Sequence, residues 1–274
     1  MLFVFTFVRM TGIVKKIDEL FDQYFDKVLV LTVPRFKERQ EKVKERLDGI
    51  SFDFFYGVDK NDLTDTFIRA NYIYDKKNSL AITQQIKPLN KGEIACALSH
   101  RNIYSAMLEN DWRHVLIFED DVVPDTNQLP ILIDCLQELP PDWELFYLGY
   151  LKNERPGIGK RLKQLWYKIQ SRLGLTRLPY SMVKNRLPKK FSPTLMKAGF
   201  HDCTHAYAVS LEGAKKLLKT QTPVIYRADN LLSALVLKGS LRAFISRSLL
   251  FNQEISFDIT SKSYIRSDPA LEPE

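Results

Sequence analysis

The sequence predicts an α/β fold built on a mostly parallel, helix-covered sheet. Strand-length apolar runs rich in β-formers recur along the chain, helical patterns separate them at intervals that suit βαβ units, and no internal repeat is visible. One run organises the rest: Val115-Leu-Ile-Phe118 ends abruptly in Glu119-Asp120-Asp121. A buried strand running out into acids at its carboxyl end puts them where open α/β sheets bind ligands. Neighbouring carboxylates repel one another, and a divalent cation among them relieves the repulsion. A solvated turn is the plainer reading, which Pro124 and Asp125 also suit.

Taken in order, the apolar start Met1 to Val8 is far short of the roughly 20 residues that span a bilayer. It lacks the basic flank and cleavage site of a signal peptide. With the amphipathic stretch Ile13 to Phe25 it reads as an N-terminal extension, 1–26. Lys27 to Val33 is a first buried strand, and Pro34 suits the first turn of a polar-faced helix carrying Arg35 and Arg39. Ile50 to Tyr56 alternates towards a second strand that ends near Asp59, and residues 60–88 read as loop and short helix. Asn90-Lys-Gly-Glu93 has the form of a capping box and opens a helix to about Leu108, on which Glu93 and His100 share a face. After the Val115 strand come a helix (Leu129 to Leu139) and a strand (Trp143 to Gly149).

Residues 151–198 change character, with about a dozen lysines and arginines against the single acid Glu154. Within them Leu162, Leu165, Trp166, Ile169 and Leu173 recur at helical spacing with basic residues on the other side. That pattern suits a helix lying on anionic headgroups, or equally one packed on the core with a basic outer face. Its aromatic spacing follows a helix rather than a stacking platform, which speaks against nucleic acid. His201 to Ser210 reads as a strand with His201, Cys203 and His205 along one face, one histidine turned to the crevice. Asp229 and Asn230 directly precede an apolar helix, Leu241 to Ile245 is a last strand, and the tail 256–274 reads as loose.

Composition fits this picture. At 274 residues, 45% hydrophobic and 27% charged, the chain can bury a substantial core and is not disordered. Three distant cysteines, Cys96, Cys135 and Cys203, imply no disulfide framework and favour a reducing compartment. A net charge of +7 points to an anionic partner. The expectation is a cytoplasmic enzyme, soluble or peripheral on the inner membrane face.

Four segments together resemble glycosyltransferase family 25, the lipooligosaccharide-type sugar transferases related to the collagen galactosyltransferases. They are the strand followed by Arg35-Phe-Lys-Glu-Arg39; Leu89-Asn-Lys-Gly92-Glu93-Ile-Ala-Cys96-Ala-Leu-Ser99-His100; Val115 to Asp121; and Thr204-His-Ala-Tyr207 to Leu217 with Asp229-Asn230-Leu. The likeness covers about residues 27–255, read as one domain with 151–198 as a basic insertion. It is most specific where the second segment stands beside the third. Thr32-Val33 and Asp59-Lys60 stand where the family has Asn-Leu and Asp-Gly.

The resemblance implies a GT-A type, Rossmann-like sheet and inverting transfer of a hexose, most often galactose, from a UDP-sugar to a glycan or glycolipid acceptor. It implies Mn²⁺ or Mg²⁺ on Glu119 and Asp121, and donor contacts from Thr32, Arg35, Arg39, Asp59, Ser99, Asp120 and His205. Asp229 is the first choice of base, with His100 or Glu93 in reserve. Alternate residues at a strand end face one side, so Glu119 and Asp121 are expected to converge while Asp120 points elsewhere. Two rivals use the same features: a metal-dependent phosphatase or nuclease, separable by phosphate release, and a non-catalytic basic membrane-binding protein.

Overall fold

A computed structural model describes residues 14–83, 87–154, 156–257 and 271. The readings made for Met1 to Val8 and for nearly all of the tail from Ser256 lie outside the described residues. Three sheet strands set the frame: β1 (Lys27–Thr32), β2 (Asp53–Tyr56) and β3 (His114–Glu119), with β1 parallel to both others. Beyond β3 lie β5 (Leu145–Leu151), β6 (Lys189–Lys190), β7 (Leu195–Lys197), β8 (Asp202–Ser210) and β9 (Ala243–Ser246), in the spatial order β2-β1-β3-β8-β5-β9-β7-β6. β8 runs antiparallel between β3 and β5, so β1, β2, β3, β5 and β9 all point the same way. The mostly parallel, helix-covered sheet expected from the sequence is borne out. A two-stranded ribbon pairs β4 (Val122–Pro124) with β10 (Phe251–Gln253).

Each strand's alternation feeds two cores. Leu29, Leu31, Val115, Ile117, Tyr147 and Tyr207 face one layer. It holds α5 (Lys91–Glu109), α9 (Leu211–Thr220) and α10 (Ala228–Lys238), through Tyr104, Leu217 and Leu231 among others. Val28, Val30, Leu116, Phe118 and Phe146 face the other. There they meet α1 (residues 14–24), α2 (Lys37–Arg46) and α6 (Ile131–Glu138), through Phe21, Val43 and Leu132. Each such side chain contributes roughly 1.5–3 kcal/mol by leaving water. The capping box forms as predicted: Asn90 Oδ1 accepts from the Glu93 N–H at 2.8 Å, and Glu93 Oε2 accepts from the Asn90 N–H at 3.0 Å.

Within the stretch read as an N-terminal extension, Ile17, Phe21 and Phe25, spaced four apart, are buried in one cluster with Val30 of β1 and Leu116 of β3. Between β2 and α5 the chain forms α3 (Asp65–Asn71) and α4 (Lys76–Thr83). The basic insertion forms α7 (Ile158–Arg172) and α8 (Tyr180–Lys184). Among the described residues, no helix is long and apolar enough to cross a membrane.

Candidate active site

A cleft of about 310 Å³ opens where β1 and β3 end and where α5 and α10 begin, within the usual size of a small-ligand site. Glu119, Asp120 and Asp121 all line it. β3 stops at Glu119 and the chain turns through Asp120 and Asp121, so strand alternation does not govern the triplet. Asp120 is fully engaged: its Oδ2 accepts from Thr32 Oγ1 at 2.5 Å and its Oδ1 from Arg39 Nη1 at 2.8 Å. Asp121 shares the same guanidinium, Nη2 to Oδ2 at 3.2 Å, while its Oδ1 is buried with no partner. Glu119 accepts from His100 Nε2 at 3.3 Å and from the Thr204 hydroxyl, both at Oε1, leaving Oε2 uncommitted. The spare carboxylate oxygens of the triplet thus belong to Glu119 and Asp121. Asp120 is spent on holding the turn.

Electrostatics sharpen the contrast. Burial, then the Glu119 charge, pushes the Asp121 carboxyl up to about 7 against the pull of Arg39. Burial likewise raises Asp120 despite Arg39 and Thr32. Burial works to raise Glu119 too, but the bond and charge of His100, with Thr204, hold it below the ordinary carboxylate value. Asp121, raised and with one buried oxygen unpartnered, stays the least compensated of the three.

Across the cleft, α10 presents Asp229 in its first turn, two residues past the position that would cap it; the N-cap is Arg227, with no side-chain cap bond. Asp229 Oδ2 accepts from the Cys203 N–H at 3.4 Å, and Arg227 Nε lies 3.7 Å from its Oδ1. Burial raises the Asp229 carboxyl against Arg227's attraction. The guanidinium also reaches Glu93 Oε1 at 3.5 Å, so Glu93 serves the capping box and the cleft wall together. Cys203 adopts φ +71°, the left-handed region that a β-carbon disfavours, at the point where β8 enters the cleft.

The remaining sequence candidates divide. Thr32, Arg35, Arg39, Asp59 and Ser99 line the cleft. Arg35 donates to Asp59, whose carboxyl burial works to raise, while bonds from Asn61 and Arg35 outweigh burial and hold it low. Ser99 Oγ donates to Ala95 O at 2.7 Å and accepts from the Val58 N–H at 2.8 Å, so it fixes the 57–59 turn rather than offering a donor to a ligand. His100 is 1% exposed and sits behind Glu119. Its Nε2 faces Glu119, its Nδ1 lies 2.8 Å from Tyr207 Oη, and Tyr207 in turn lies 2.9 Å from Tyr104 Oη. That places His100 as a support of Glu119 and not as a base at the cleft.

His205 lies outside the lining. It is buried, with Nε2 3.1 Å from Phe251 O, and so does not reach a donor in the cleft. His201 is turned the other way, 2.8 Å from Lys152 O. The expected row of His201, Cys203 and His205 fails because β8 begins after His201 and twists at Cys203. Reasoning from sequence passed over Arg227, although it stood two residues before Asp229. It also left Thr204 without a role and missed Gln253, the last residue of β10, and Ile255 in the turn that follows, both of which line the cleft. Possible metal-ligand atoms of Cys96, His100 and Glu119 lie within 4.8 Å of one another. Burial keeps the Cys96 thiol well above its ordinary value, hence protonated and a poor ligand for a hard cation.

A family model described as glycosyltransferase family 25 (LPS biosynthesis protein) matches residues 25–232. Among curated proteins, the chain is similar to human procollagen galactosyltransferase 2, 26% identical over 202 residues that cover 71% of this chain and 27% of that protein. It is similar to Xenopus laevis procollagen galactosyltransferase 1-A, 26% identical over 205 residues, 72% and 28% of the two chains. It is also similar to human inactive glycosyltransferase 25 family member 3, 29% identical over 202 residues, 72% and 29%. The chain thus spans between a quarter and a third of the length of these relatives. Similar solved structures include a glycosyltransferase involved in glycosylation of the major capsid of PBCV-1, at 11% identity and TM-score 0.39 over 84% of this chain and 93% of that one. Another is mouse xyloside xylosyltransferase 1 in its apo form, at 10% identity and TM-score 0.39 over 79% and 70%.

Proposed function

Because the chain belongs to glycosyltransferase family 25, we propose that it is a metal-dependent, inverting hexosyltransferase. It moves a sugar, galactose before others, from a UDP donor to a hydroxyl of a saccharide or glycolipid acceptor of lipooligosaccharide or another surface glycan. The preference for galactose rests on the relatives named as galactosyltransferases. One observation carries the reading: the spare oxygens of the acid triplet, Glu119 Oε2 and the buried, unpartnered Asp121 Oδ1, border a cleft that has Asp229 on its far wall.

Those hard oxygens fit Mn²⁺ or Mg²⁺, and Glu119 and Asp121 would hold it. Bound there, the ion would neutralise the negative charge that develops on a departing diphosphate. The chain's own groups do the rest. Arg39 and Thr32 fix Asp120 and the turn, and His100 and Thr204 fix Glu119, so the acids need no rearrangement when a ligand arrives. Arg35, half exposed beside Asp59, supplies a planar cation at the β1 end of the cleft for phosphate or base. Asp229 takes the proton of the acceptor hydroxyl as that oxygen bonds to the anomeric carbon and the carbon–oxygen bond to UDP breaks from the opposite face. Its buried setting makes it a stronger base than a free aspartate, and Arg227 stabilises its charged form.

The test is release of UDP from a panel of UDP-hexoses, with and without EDTA and saccharide acceptors. The parent is expected to turn over UDP-galactose in an EDTA-sensitive way. Asp121→Ala should lose that turnover while melting no lower than the parent, because it removes a buried acid under repulsion. Undiminished turnover in the variant would remove the ion from Asp121.

A further inference from the structure

We propose that the outward face of α7 is a docking site for an anionic lipid bilayer. A helix at the surface of a soluble protein normally turns its apolar stripe inward. Here the arrangement is inverted. Ile158, Leu162, Leu165, Trp166, Ile169 and Leu173 are between 47% and 78% exposed. The side turned to the body is polar: Gln164 Nε2 donates to Val183 O at 2.9 Å and to Lys184 O at 3.3 Å, and Ser171 Oγ donates to Leu178 O at 2.8 Å. Gln164, Lys168 and Ser171, at helical spacing, are half-buried in a helix whose other residues, Gln170 apart, are exposed. At 3.6 residues per turn the centre of the apolar stripe lies on the side opposite that seam. Among the described residues nothing covers it, which removes the core-packed alternative left open by the sequence.

Charge selects the occupant. α7 carries Lys160, Arg161, Lys163, Lys168 and Arg172 and no acid, and Arg161 and Lys163 flank the stripe on either side. The apolar side chains suit the acyl boundary and the cations suit the headgroups above it. Each basic residue near an anionic surface multiplies partitioning about fivefold. A second copy of the chain answers the stripe but not the charge, since two such helices would oppose like cations. Residues 1–13 are apolar, yet they contain Arg9 and no acid, so they answer the charge no better. α7 follows β5, whose last residue, Leu151, lines the cleft, so a docked helix would hold the cleft mouth near the lipid surface. The proposal does not depend on the reaction assigned to that cleft.

Flotation of the full chain with vesicles of phosphatidylcholine, alone or mixed with phosphatidylglycerol, tests it. The protein is expected to float with the anionic vesicles and to be released by high salt. Replacing both Leu165 and Trp166 by serine should weaken flotation at least about tenfold with the melting temperature unchanged. Lys160→Glu with Lys163→Glu should remove the preference for anionic lipid. Failure of the parent to float, or flotation that survives the serine variant, would overturn the proposal. So would a serine variant that melts well below the parent, which would mean that protein covers the stripe, or a parent dimer that the variant splits, which would make a second copy the occupant.

Discussion

Arg39→Met tests whether one guanidinium makes the acid turn tolerable. The substitution keeps most of the apolar stem and deletes the charge. Arg39 reaches Asp120 at 2.8 Å and Asp121 at 3.2 Å, and the two carboxylates are only 6% and 19% exposed. Removing one member of a buried ion pair costs roughly 3–5 kcal/mol, because the abandoned charge stays out of water. Two carboxylates are abandoned here, which argues for the upper end. Arg39 itself is 24% exposed, so solvent screens part of the pair and argues for the lower. A loss of about 3 kcal/mol follows, which in a chain this long lowers the melting temperature by about 6 °C. The assay is thermal unfolding followed by circular dichroism in EDTA, repeated with Mn²⁺. The ion should recover more stability in the variant than it adds to the parent, since its charge replaces the one removed. A variant that melts within about a degree of the parent in EDTA would refute the ion-pair reasoning. The expected loss without recovery by Mn²⁺ would leave that reasoning standing and remove the cation from the turn.

Asp229→Asn keeps the shape of the cleft wall and removes the base, so kcat should fall roughly 10²- to 10⁴-fold with donor KM near the parent value; steady-state UDP release decides, and an unchanged kcat would move the base elsewhere. Burial depresses His201 to about 4, so the unfolded chain takes up this proton first as pH falls from the ordinary value of 6.5. The stability tied to a neutral His201 is therefore whole above that value and lost as pH drops towards 4, about 3 kcal/mol in all. Urea midpoints measured from neutrality to pH 4 should show the decline, and His201→Gln should flatten it; an equally steep decline in the variant would acquit His201.

The elements legible in the sequence were those whose own residues dictate them. Val28 to Leu31 and Val115 to Phe118 are apolar throughout because both faces of the sheet are covered, and Asn90 and Glu93 spell out the start of α5 within four residues. The roles inside the cleft were less legible, because they depend on partners far away in the chain. Thr32 meets Asp120 across 88 positions and Thr204 meets Glu119 across 85, and neither threonine stands out in its own segment. His205 misled for the same reason: its partner, Phe251 O, lies on a ribbon whose pairing no local pattern announces. The strand-alternation rule picked Glu119 and Asp121 out of the triplet. Their spare oxygens come instead from a turn, in which Arg39 and Thr32 consume Asp120.

That division bears on how far kinship alone reaches. A relative named inactive is 29% identical to this chain over 202 residues, while one named a galactosyltransferase is 26% identical over the same length. Overall identity therefore does not separate the two outcomes, and the reason is physical. Thr32, Arg39, Ser99, His100 and Thr204 are satisfied inside the protein and contribute to its stability whether or not it turns anything over. Glu119 Oε2, Asp121 Oδ1 and the carboxylate of Asp229 bring desolvated or mutually repelling charge into one cleft, and burial works against the charged form of all three acids. Of the three, Asp121 and Asp229 have raised carboxyls, so their loss would relax the fold rather than break it, whereas loss of Glu119 would take from His100 and Thr204 the partner they share. Their joint presence across one cleft argues for chemistry in this chain more strongly than the length or the percentage of the match.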